Sequence, residues 1–350
     1  MSTIISAPDS VPSPTVGSAS FDSTTEVSDG RFHALMGPEG APGFLDHTEL
    51  ESTWGRRWGA ADEVGRLRSV LMRRPSAGLA GITSEHYLPG VDALVDPDRR
   101  WYWTGKDAPD MPRVHNEHEG FVQALRDKGV EVFFADDLPS YTKSLYTRDP
   151  LVTIPGGAII TRLAARMRRG EEQSISRAVA AAGVPILGTI TGEGVVEGGT
   201  FVKVRRDQAF LGTSVRTTPE GYRQLAALLD IHGIALHRVS LPGYLIHLDM
   251  CSSMIDDDLA LVNPRLAPYD YMSALEGLGI ELVEVHPSEE WASNLLVLDR
   301  RSVIMPDHLP RTAERLSNMG VEIFTVSYRE ILKNGGGLHC STMELQRDWV

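Results

Sequence analysis

The feature that most constrains the fold is a repeated pattern of an apolar helix, a glycine and a short β-branched strand. An apolar helical period ends at a glycine and is followed by alternating Val, Ile and Leu, which is typical of a helix leading into a strand. Five copies at a similar spacing indicate one radially repeated architecture rather than a series of separate domains. The copies are Phe121–Phe134, Ile175–Ile190, Tyr222–Val239, Tyr271–Val285 and Thr312–Val326.

Hairpin-like segments separate these copies. Hairpins argue against a doubly wound parallel sheet, whose strands are joined by helical crossovers. The Gly-Glu-Gly sequence at 192–194 falls between two strands, so it is not a phosphate loop. The strands before Pro75 and after His339 lack partners in their own copies, and we expect them to pair with each other. The predicted hairpins are Leu151–Ile160, Phe201–Leu211, Met250–Val262 and Leu295–Met305.

The composition narrows the class of protein. Of the 350 residues, 42% are hydrophobic and 23% are charged, which is ordinary for a globular chain, and the net charge is -13. An acidic surface argues against nucleic-acid and anionic-membrane partners but suits a cationic small molecule. No apolar run approaches a membrane span, and no secretory signal is visible. With two cysteines a disulfide framework is excluded, so a reducing cytoplasm is expected.

The chain divides into a tail and one domain. Residues 1–45 are rich in Ser, Thr, Pro, Gly and Asp, and they carry too few large apolar side chains to offset the entropy of ordering. We therefore expect a disordered N-terminal tail at 1–45 and a single folded domain at 46–350. Assembly into a homo-oligomer is left open by the sequence.

Cys340 follows three glycines, and this context sets it apart from a core cysteine. A cysteine is usually a small core residue. A glycine-rich loop allows close approach of backbone to a ligand and is expected to expose the thiol at its tip. Such a thiol becomes a nucleophile when a cation stabilises its thiolate, and a bound guanidinium or a protonated His247 could serve. Cys251, in an apolar strand, is expected to lie in the core.

His247 and Asp249 form a His-x-Asp pair at the start of the fourth unit. Strand alternation would place both, with Cys251, on one face, where Asp249 can orient and charge the imidazole for acid–base work. Taken alone, His247 could equally be a satisfied core histidine. Metal binding is the rival use, but no Cys-x-x-Cys or His-Glu-x-x-His spacing occurs, so no metal is expected. The histidines interpreted as surface or loop residues are His33, His47, His86, His115 and His118.

Two acids stand at equivalent ends of other units. Asp149 lies in Thr-Arg-Asp and Glu197 in Glu-Gly-Gly, and either could simply be a solvated turn residue. Together they make better sense as a cage for a planar guanidinium, whose donors pair with carboxylates in fixed geometry. Gly199 then lets the backbone pass beside the ligand.

These motifs together resemble the guanidino-group-modifying superfamily, which has the pentein fold. The superfamily includes arginine deiminases, dimethylargininases, arginine dihydrolases and amidinotransferases. The resemblance runs from about Arg66 to Asp348 and implies a five-bladed α/β-propeller around a central active-site channel. It implies Cys340 as nucleophile, His247 as general acid and base, and three guanidinium-binding acids, which are Asp149, Glu197 and Asp249.

The resemblance also suggests substrate contacts. Arg168 and Arg216 match arginines that bind the carboxylate of a free amino acid, a task suited to bidentate guanidinium groups. Asn294, in Ala-Ser-Asn-Leu, and Lys143, which stands where deiminases keep Asn, are further predicted contacts. The chain departs from deiminases at Thr200, which replaces an Asp after the two glycines.

The sequence thus predicts a cofactor-free, cysteine-dependent hydrolase of the guanidino group of L-arginine or a close analogue. A covalent Cys-amidino intermediate would give citrulline and ammonia, or ornithine after further hydrolysis. Transfer of the amidino group to an amine is the alternative enzyme activity. A non-catalytic arginine-binding regulatory protein is the alternative of another class.

Overall fold

The structure is a computed structural model that describes residues 43–96 and 101–349. A disordered tail was predicted at 1–45, and residues 1–42 of it lie outside the described range. The described α-helices are α1 (His47–Trp54), α2 (Met111–Asp127), α3 (Glu171–Ala181), α4 (Pro219–Ile231), α5 (Tyr269–Gly277), α6 (Pro310–Asn318) and α7 (Arg329–Leu332). None of the described helices is both long enough and apolar enough to span a membrane.

The described strands form small sheets of three. They are β1 (Leu67–Met72), β2 (Tyr87–Leu88), β3 (Ala93–Asp96), β4 (Trp101–Thr104), β5 (Glu131–Phe134), β6 (Leu151–Ile154), β7 (Gly157–Ile160), β8 (Ile186–Thr189), β9 (Phe201–Arg205), β10 (Gln208–Thr213), β11 (Ala235–Ser240), β12 (Ser252–Asp256), β13 (Leu259–Val262), β14 (Glu281–Glu284), β15 (Leu296–Asp299), β16 (Ser302–Pro306), β17 (Glu322–Val326) and β18 (Met343–Arg347).

Four of the sheets are built in the same way. In each, two antiparallel strands form a hairpin, a helix follows, and the next strand adds parallel to the second hairpin strand. The predicted hairpins and helix–strand copies are therefore confirmed as local structures. The four sheets are β6-β7-β8, β9-β10-β11, β12-β13-β14 and β15-β16-β17.

A fifth sheet of the same design joins the two ends of the described chain. Strand β1 pairs antiparallel with β18, with Leu67 opposite Arg347, and parallel with β5, which follows α2. This confirms the predicted pairing between the strand before Pro75 and the strand after His339. The pairing places Cys340, just ahead of β18, next to residues from the beginning of the fold.

Each repeated helix ends where the sequence predicts. The five stop glycines have φ between +70° and +87°, a left-handed conformation that glycine adopts without the steric cost of a Cβ. The chain can therefore turn directly from each helix into its parallel strand. These glycines are Gly129, Gly183, Gly233, Gly279 and Gly320.

A sixth sheet, β2-β3-β4, is inserted between β1 and α2 and was not predicted. Trp101 and Trp103 on β4 are buried, whereas Tyr102 between them points the other way and is 44% exposed. This alternation of buried and exposed side chains anchors the insertion on the apolar core while presenting Tyr102 on its outer side.

The hairpin strands of the repeated units are largely buried on both faces, whereas the strand that follows each helix is mostly exposed or half-buried. All four residues of β6, β7 and β13 are buried, as expected for strands covered by helices on one side and by neighbouring sheets on the other. Charged side chains from β9 and β18 are also buried between the sheets, and they pair with one another: Lys203 Nζ lies 3.0 Å from Glu344 Oε1. The centre of the molecule is therefore an ionic network and not a purely apolar core.

Candidate active site

Segments ahead of β6, β12 and β18 converge on one pocket of about 1140 Å³. Asp149 precedes β6, and Cys340 lies on a turn before β18. His247 precedes a short 3₁₀ turn, Leu248–Met250, so the expected strand alternation through Asp249 and Cys251 was wrong. The predicted site residues that line the pocket are Lys143, Asp149, Arg168, Arg216, His247 and Cys340.

Glu197 and His247 form a buried ion pair. His247 Nε2 lies 2.7 Å from Glu197 Oε2, while Glu197 Oε1 accepts from the Ala164 N–H at 2.8 Å and from Arg216 Nη1 at 3.2 Å. Burial alone would raise the pKa of Glu197, but the hydrogen bond and charge of His247, with the charge of Arg216, lower it to about 2. Glu197 is thus a carboxylate whose oxygens are already engaged.

His247 carries the complementary charge. Burial lowers its pKa, but Asp149, whose Oδ1 lies 3.7 Å from Nδ1, and Glu197 raise the pKa to about 9. The imidazole is therefore protonated at neutral pH and can act as a general acid. His247 is 5% exposed, so it is buried like a core histidine, but it also lines the pocket.

Arg168 is held by the protein itself. Its Nη1 pairs with Asp149 Oδ2, its Nε and Nη2 pair with Glu171, and Nη2 also donates to the Tyr146 carbonyl at 2.9 Å. Every guanidinium nitrogen is therefore engaged. In this arrangement Arg168 fixes Asp149, and the predicted contact with a substrate carboxylate would require Arg168 to leave these partners.

Cys340 is buried at the pocket floor, 6% exposed, and not at an exposed loop tip as expected. Asn294 Nδ2 donates to its sulfur at 3.1 Å, and a Cβ on Gly337 would lie 2.5 Å from Asn294 Oδ1. The glycine therefore makes room for the amide that supports the thiol. Burial, followed by the charges of Asp249 and Asp149, raises the pKa of Cys340 well above its ordinary value.

Asp249 has a different partner from the one expected. Its Oδ2 accepts from His339 Nδ1 at 2.8 Å and lies 3.6 Å from Cys340 Sγ. The sequence predicted that Asp249 would pair with His247. Because both residues flank or lie in the 3₁₀ turn, their side chains have different partners, His339 for Asp249 and Glu197 for His247. His339 was missed as a functional residue, although its position directly before Cys340 was a signal for it. Cys251 lies in the core, as predicted.

Lys143, at the pocket wall, and Gly199, next to His247, occupy structural positions. Lys143 Nζ donates to Tyr102 O at 2.7 Å, to Asn334 Oδ1 at 2.8 Å and to Asn334 O. These three acceptors use every N–H of an ammonium group, although burial and the charge of Arg168 lower the pKa of Lys143 well below its ordinary value. A Cβ on Gly199 would lie 2.7 Å from His247 Nδ1, so only glycine fits there.

One triad within the described residues offers metal-ligand atoms. The ligand atoms of Asp149, Glu197 and His247 lie within 4.8 Å of one another. A metal would need the neutral imidazole, whereas the pKa of about 9 keeps His247 protonated at neutral pH. The internal ion pairs therefore compete with a metal for these groups.

Comparison with known proteins identifies the family of the chain. The family model described as "N,N dimethylarginine dimethylhydrolase, eukaryotic" matches residues 106–347. The chain belongs to this dimethylarginine dimethylaminohydrolase family. The predicted membership of the guanidino-modifying superfamily is thereby confirmed.

Relatives of this dimethylarginine dimethylaminohydrolase family member span most of the chain. The N(G),N(G)-dimethylarginine dimethylaminohydrolase of Pseudomonas aeruginosa is 28% identical over 278 residues, which is 79% of this chain and 99% of that protein. A solved structure of the Pseudomonas enzyme, a cysteine-to-serine variant complexed with citrulline, superposes with a TM-score of 0.66 at 25% identity. It covers 80% of this chain and 100% of its own.

An inosamine-phosphate amidinotransferase from Streptomyces griseus shares the fold. Its structure gives a TM-score of 0.65 at 16% identity, covering 84% of this chain and 98% of that chain. At this identity the likeness concerns the fold. This chain therefore shares its mixed α/β fold with both the Pseudomonas hydrolase and this amidinotransferase.

Proposed function

We propose that this protein is a cysteine-dependent hydrolase of the guanidino group of L-arginine or a close analogue, including methylated arginines. The observation that carries the proposal is a pair of buried carboxylate oxygens beside Cys340. Within the described residues, Asp149 Oδ1 and Asp249 Oδ1 have no hydrogen-bond donor. A buried acceptor without a donor is costly, so a ligand rich in N–H groups would be favoured there.

A guanidinium meets this requirement by charge and by shape. It is planar, cationic and carries five N–H donors in a protonated arginine side chain. Both carboxylates raise the pKa of Cys340 through their negative charge. A cation bound between them and the sulfur would offset that effect and favour the thiolate, so ionisation of the nucleophile would accompany binding of the substrate.

The proposed reaction has two covalent steps. The Cys340 thiolate attacks the central guanidinium carbon, the bond from that carbon to one nitrogen breaks, and the His247 imidazolium gives its proton to the departing ammonia or amine. Water then gives one proton to the neutral imidazole and attacks the amidino carbon. The carbon–sulfur bond breaks, the sulfur takes the remaining proton of the added hydroxyl to return the thiol, and the ureido product leaves. Glu197 stabilises the imidazolium in both half-reactions through its 2.7 Å contact.

Recognition of a free amino acid requires cations for its carboxylate. Arg216 is partly exposed in the pocket, and its Nη1 touches Glu197, which leaves Nε and Nη2 without a protein acceptor among the described residues. Arg166 also lines the pocket and is exposed. We propose that Arg216, supported by Arg166, binds the carboxylate, while Arg168 holds Asp149.

Amidino transfer is the second proposed activity, and one feature of the structure favours it. A neighbouring cavity of about 550 Å³ also reaches Cys340, from the side of Asn294 and Trp291. It offers space for an amine acceptor apart from the acids that would hold the guanidinium.

The five repeated sheet units are proposed to form five blades around the pocket. Residues 46–350 are proposed to be one catalytic domain, which acts on a small molecule without a cofactor.

Product analysis separates these possibilities. Purified protein is incubated with L-arginine or asymmetric dimethylarginine, with and without glycine or lysine, and the products are identified by mass spectrometry. Citrulline from either substrate is the expected result. Ornithine without an acceptor would indicate a dihydrolase, and ornithine only with an acceptor would indicate a transferase. Binding without any product would overturn the enzymatic proposal in favour of a regulatory protein.

A further inference from the structure

His339, directly before Cys340 in the chain, lies between two carboxylates. Its Nδ1 is 2.8 Å from Asp249 Oδ2, and its Nε2 is 3.6 Å from Glu63 Oε2. The residue is 7% exposed and is not among the residues that line the pocket; with Asp249 and Glu63 it lines a second, smaller cavity. Neither ring nitrogen therefore faces the place where a ligand would bind.

The surroundings favour the cationic form of His339. Burial and the charge of Arg148 lower its pKa, but hydrogen bonding to Asp249 and Glu63 more than offsets them, so the pKa is raised overall. In the imidazolium form both nitrogens donate, and the two carboxylates are the matching acceptors.

The network behind His339 fixes its position. Glu63 Oε1 accepts from the backbone N–H of Lys203 at 3.2 Å and lies 3.6 Å from Lys203 Nζ. Lys203 in turn pairs with Glu344 on β18, and Glu344 pairs with Arg148. Negative and positive side chains therefore alternate from the Cys340 thiol to the centre of the fold. A shift of His339 would leave buried charges in this series without a partner of opposite charge, which is costly.

The same oxygen, Asp249 Oδ2, contacts both His339 and the Cys340 sulfur. We propose that His339 is a positioning residue that holds the Asp249 carboxylate against the Cys340 thiol and partly neutralises it, thereby setting how readily the thiol loses its proton. The inference rests on the proposed function only in naming Cys340 as the nucleophile. It assigns a function to a residue outside the pocket.

Other groups also act on the thiol and must stay unchanged in a test. Those facing Cys340 from the surrounding elements are Asp149, Asp249, Tyr102, Tyr146, Tyr328 and the amide of Asn294. Those facing His339 are Asp249, Glu63 and Arg148. Substitution of His339 alone leaves this set intact.

The test measures alkylation of Cys340 by iodoacetamide as a function of pH, in the full-length protein without substrate. Peptide mass spectrometry reports Cys340 and Cys251 separately. Cys251 is an internal reference, because it is fully buried in the core and burial raises its pKa to about 12. The variants are His339→Leu, His339→Asn, which keeps an N–H donor near the Nδ1 position, and the control His115→Asn on the exposed side of α2.

We expect His339→Leu to move the alkylation profile of Cys340 to higher pH. A pKa higher by about one unit means a roughly tenfold lower thiolate fraction, and so a roughly tenfold lower rate below the pKa. His339→Asn should shift the profile in the same direction and restore part of the kcat lost in His339→Leu. His115→Asn should leave both readouts unchanged.

An unshifted profile in His339→Leu would overturn the proposal even if its activity fell, because the loss would then be structural. If His339→Leu does not fold, His339→Asn decides alone, and a profile matching that of His115→Asn would overturn the proposal. Alkylation needs no substrate. A protein inactive on arginine but showing the shift would therefore contradict the proposed function and leave the role of His339 standing.

Discussion

Replacement of Glu197 by Gln tests the ion pair that the proposed mechanism requires. The amide keeps the size of the side chain, and its carbonyl oxygen would take the place of Oε1, which accepts from the Ala164 N–H and Arg216. The amide N–H₂ would then face His247 Nε2. That nitrogen would have to be an acceptor, so the variant should hold the imidazole neutral.

The magnitude follows from the pKa of His247. An increase from the ordinary value of 6.5 to about 9 corresponds to about 3 kcal/mol, at about 1.36 kcal/mol per pKa unit. Because the folded-state pKa is the higher one, this stabilisation is fully present below pH 6.5 and is lost as the pH rises through 9. Glu197→Gln should remove the part of this stabilisation that comes from Glu197, while the charges of Asp149 and Asp249 remain.

The assay is urea unfolding followed by tryptophan fluorescence, at about pH 6 and about pH 10. The difference in free energy of unfolding between wild type and Glu197→Gln should be larger at the lower pH, by up to about 3 kcal/mol. Glu314→Gln, on the exposed face of α6, is the matched control and should show no such pH dependence. Equal differences at both pH values for Glu197→Gln would refute the ion-pair argument.

Three further substitutions follow from the same structure. Gly199→Ala places a Cβ 2.7 Å from His247 Nδ1 and 2.9 Å from Asp149 Oδ1, so kcat should fall at least about tenfold. The control Gly277→Ala, whose Cβ would have nothing within 4 Å, should keep full activity, and equal kcat in both variants would contradict the close fit at Gly199. Lys143→Met leaves three buried oxygens without their donor and should lower the free energy of unfolding by at least about 3 kcal/mol. A smaller loss, measured by urea unfolding, would contradict the three hydrogen bonds of the Lys143 ammonium group. Gly120→Ala, exposed in the middle of α2 with open space for a Cβ, should raise the free energy of unfolding by about 0.5 to 1 kcal/mol, and destabilisation in the same assay would show a hidden clash.

The repeated units could be predicted because local sequence determines them. Each helix ends at a glycine with positive φ, and each hairpin turn is rich in Asp, Arg or Gly, so the boundaries follow from short-range preferences. The inserted sheet β2-β3-β4 could not, because β2 has two residues and its strands lack the helix–glycine–strand signature. Tyr102, the exposed side chain of β4, lines the pocket, and this contribution of the insertion to the site was therefore not predicted.

Within the site, residue types were easier to predict than their partners. The structure brings Asp149, Glu197, His247 and Cys340 together around one pocket. The partner of Asp249 is 90 positions away in the sequence, since His339 is brought next to it only by the pairing of β18 with β1. His118, interpreted as a surface residue, is 1% exposed, because its position on α2 faces the core. His33 lies outside the described residues.

The most direct measurement of the central claim is mass spectrometry of the enzyme itself during turnover. Protein mixed with arginine or dimethylarginine is quenched in acid and digested, and the Cys340 peptide is analysed. We predict an amidino adduct on the Cys340 sulfur that disappears as substrate is exhausted, and a Cys340→Ser variant that binds substrate without turnover. Full activity in Cys340→Ser, or turnover with no adduct on Cys340, would contradict the account.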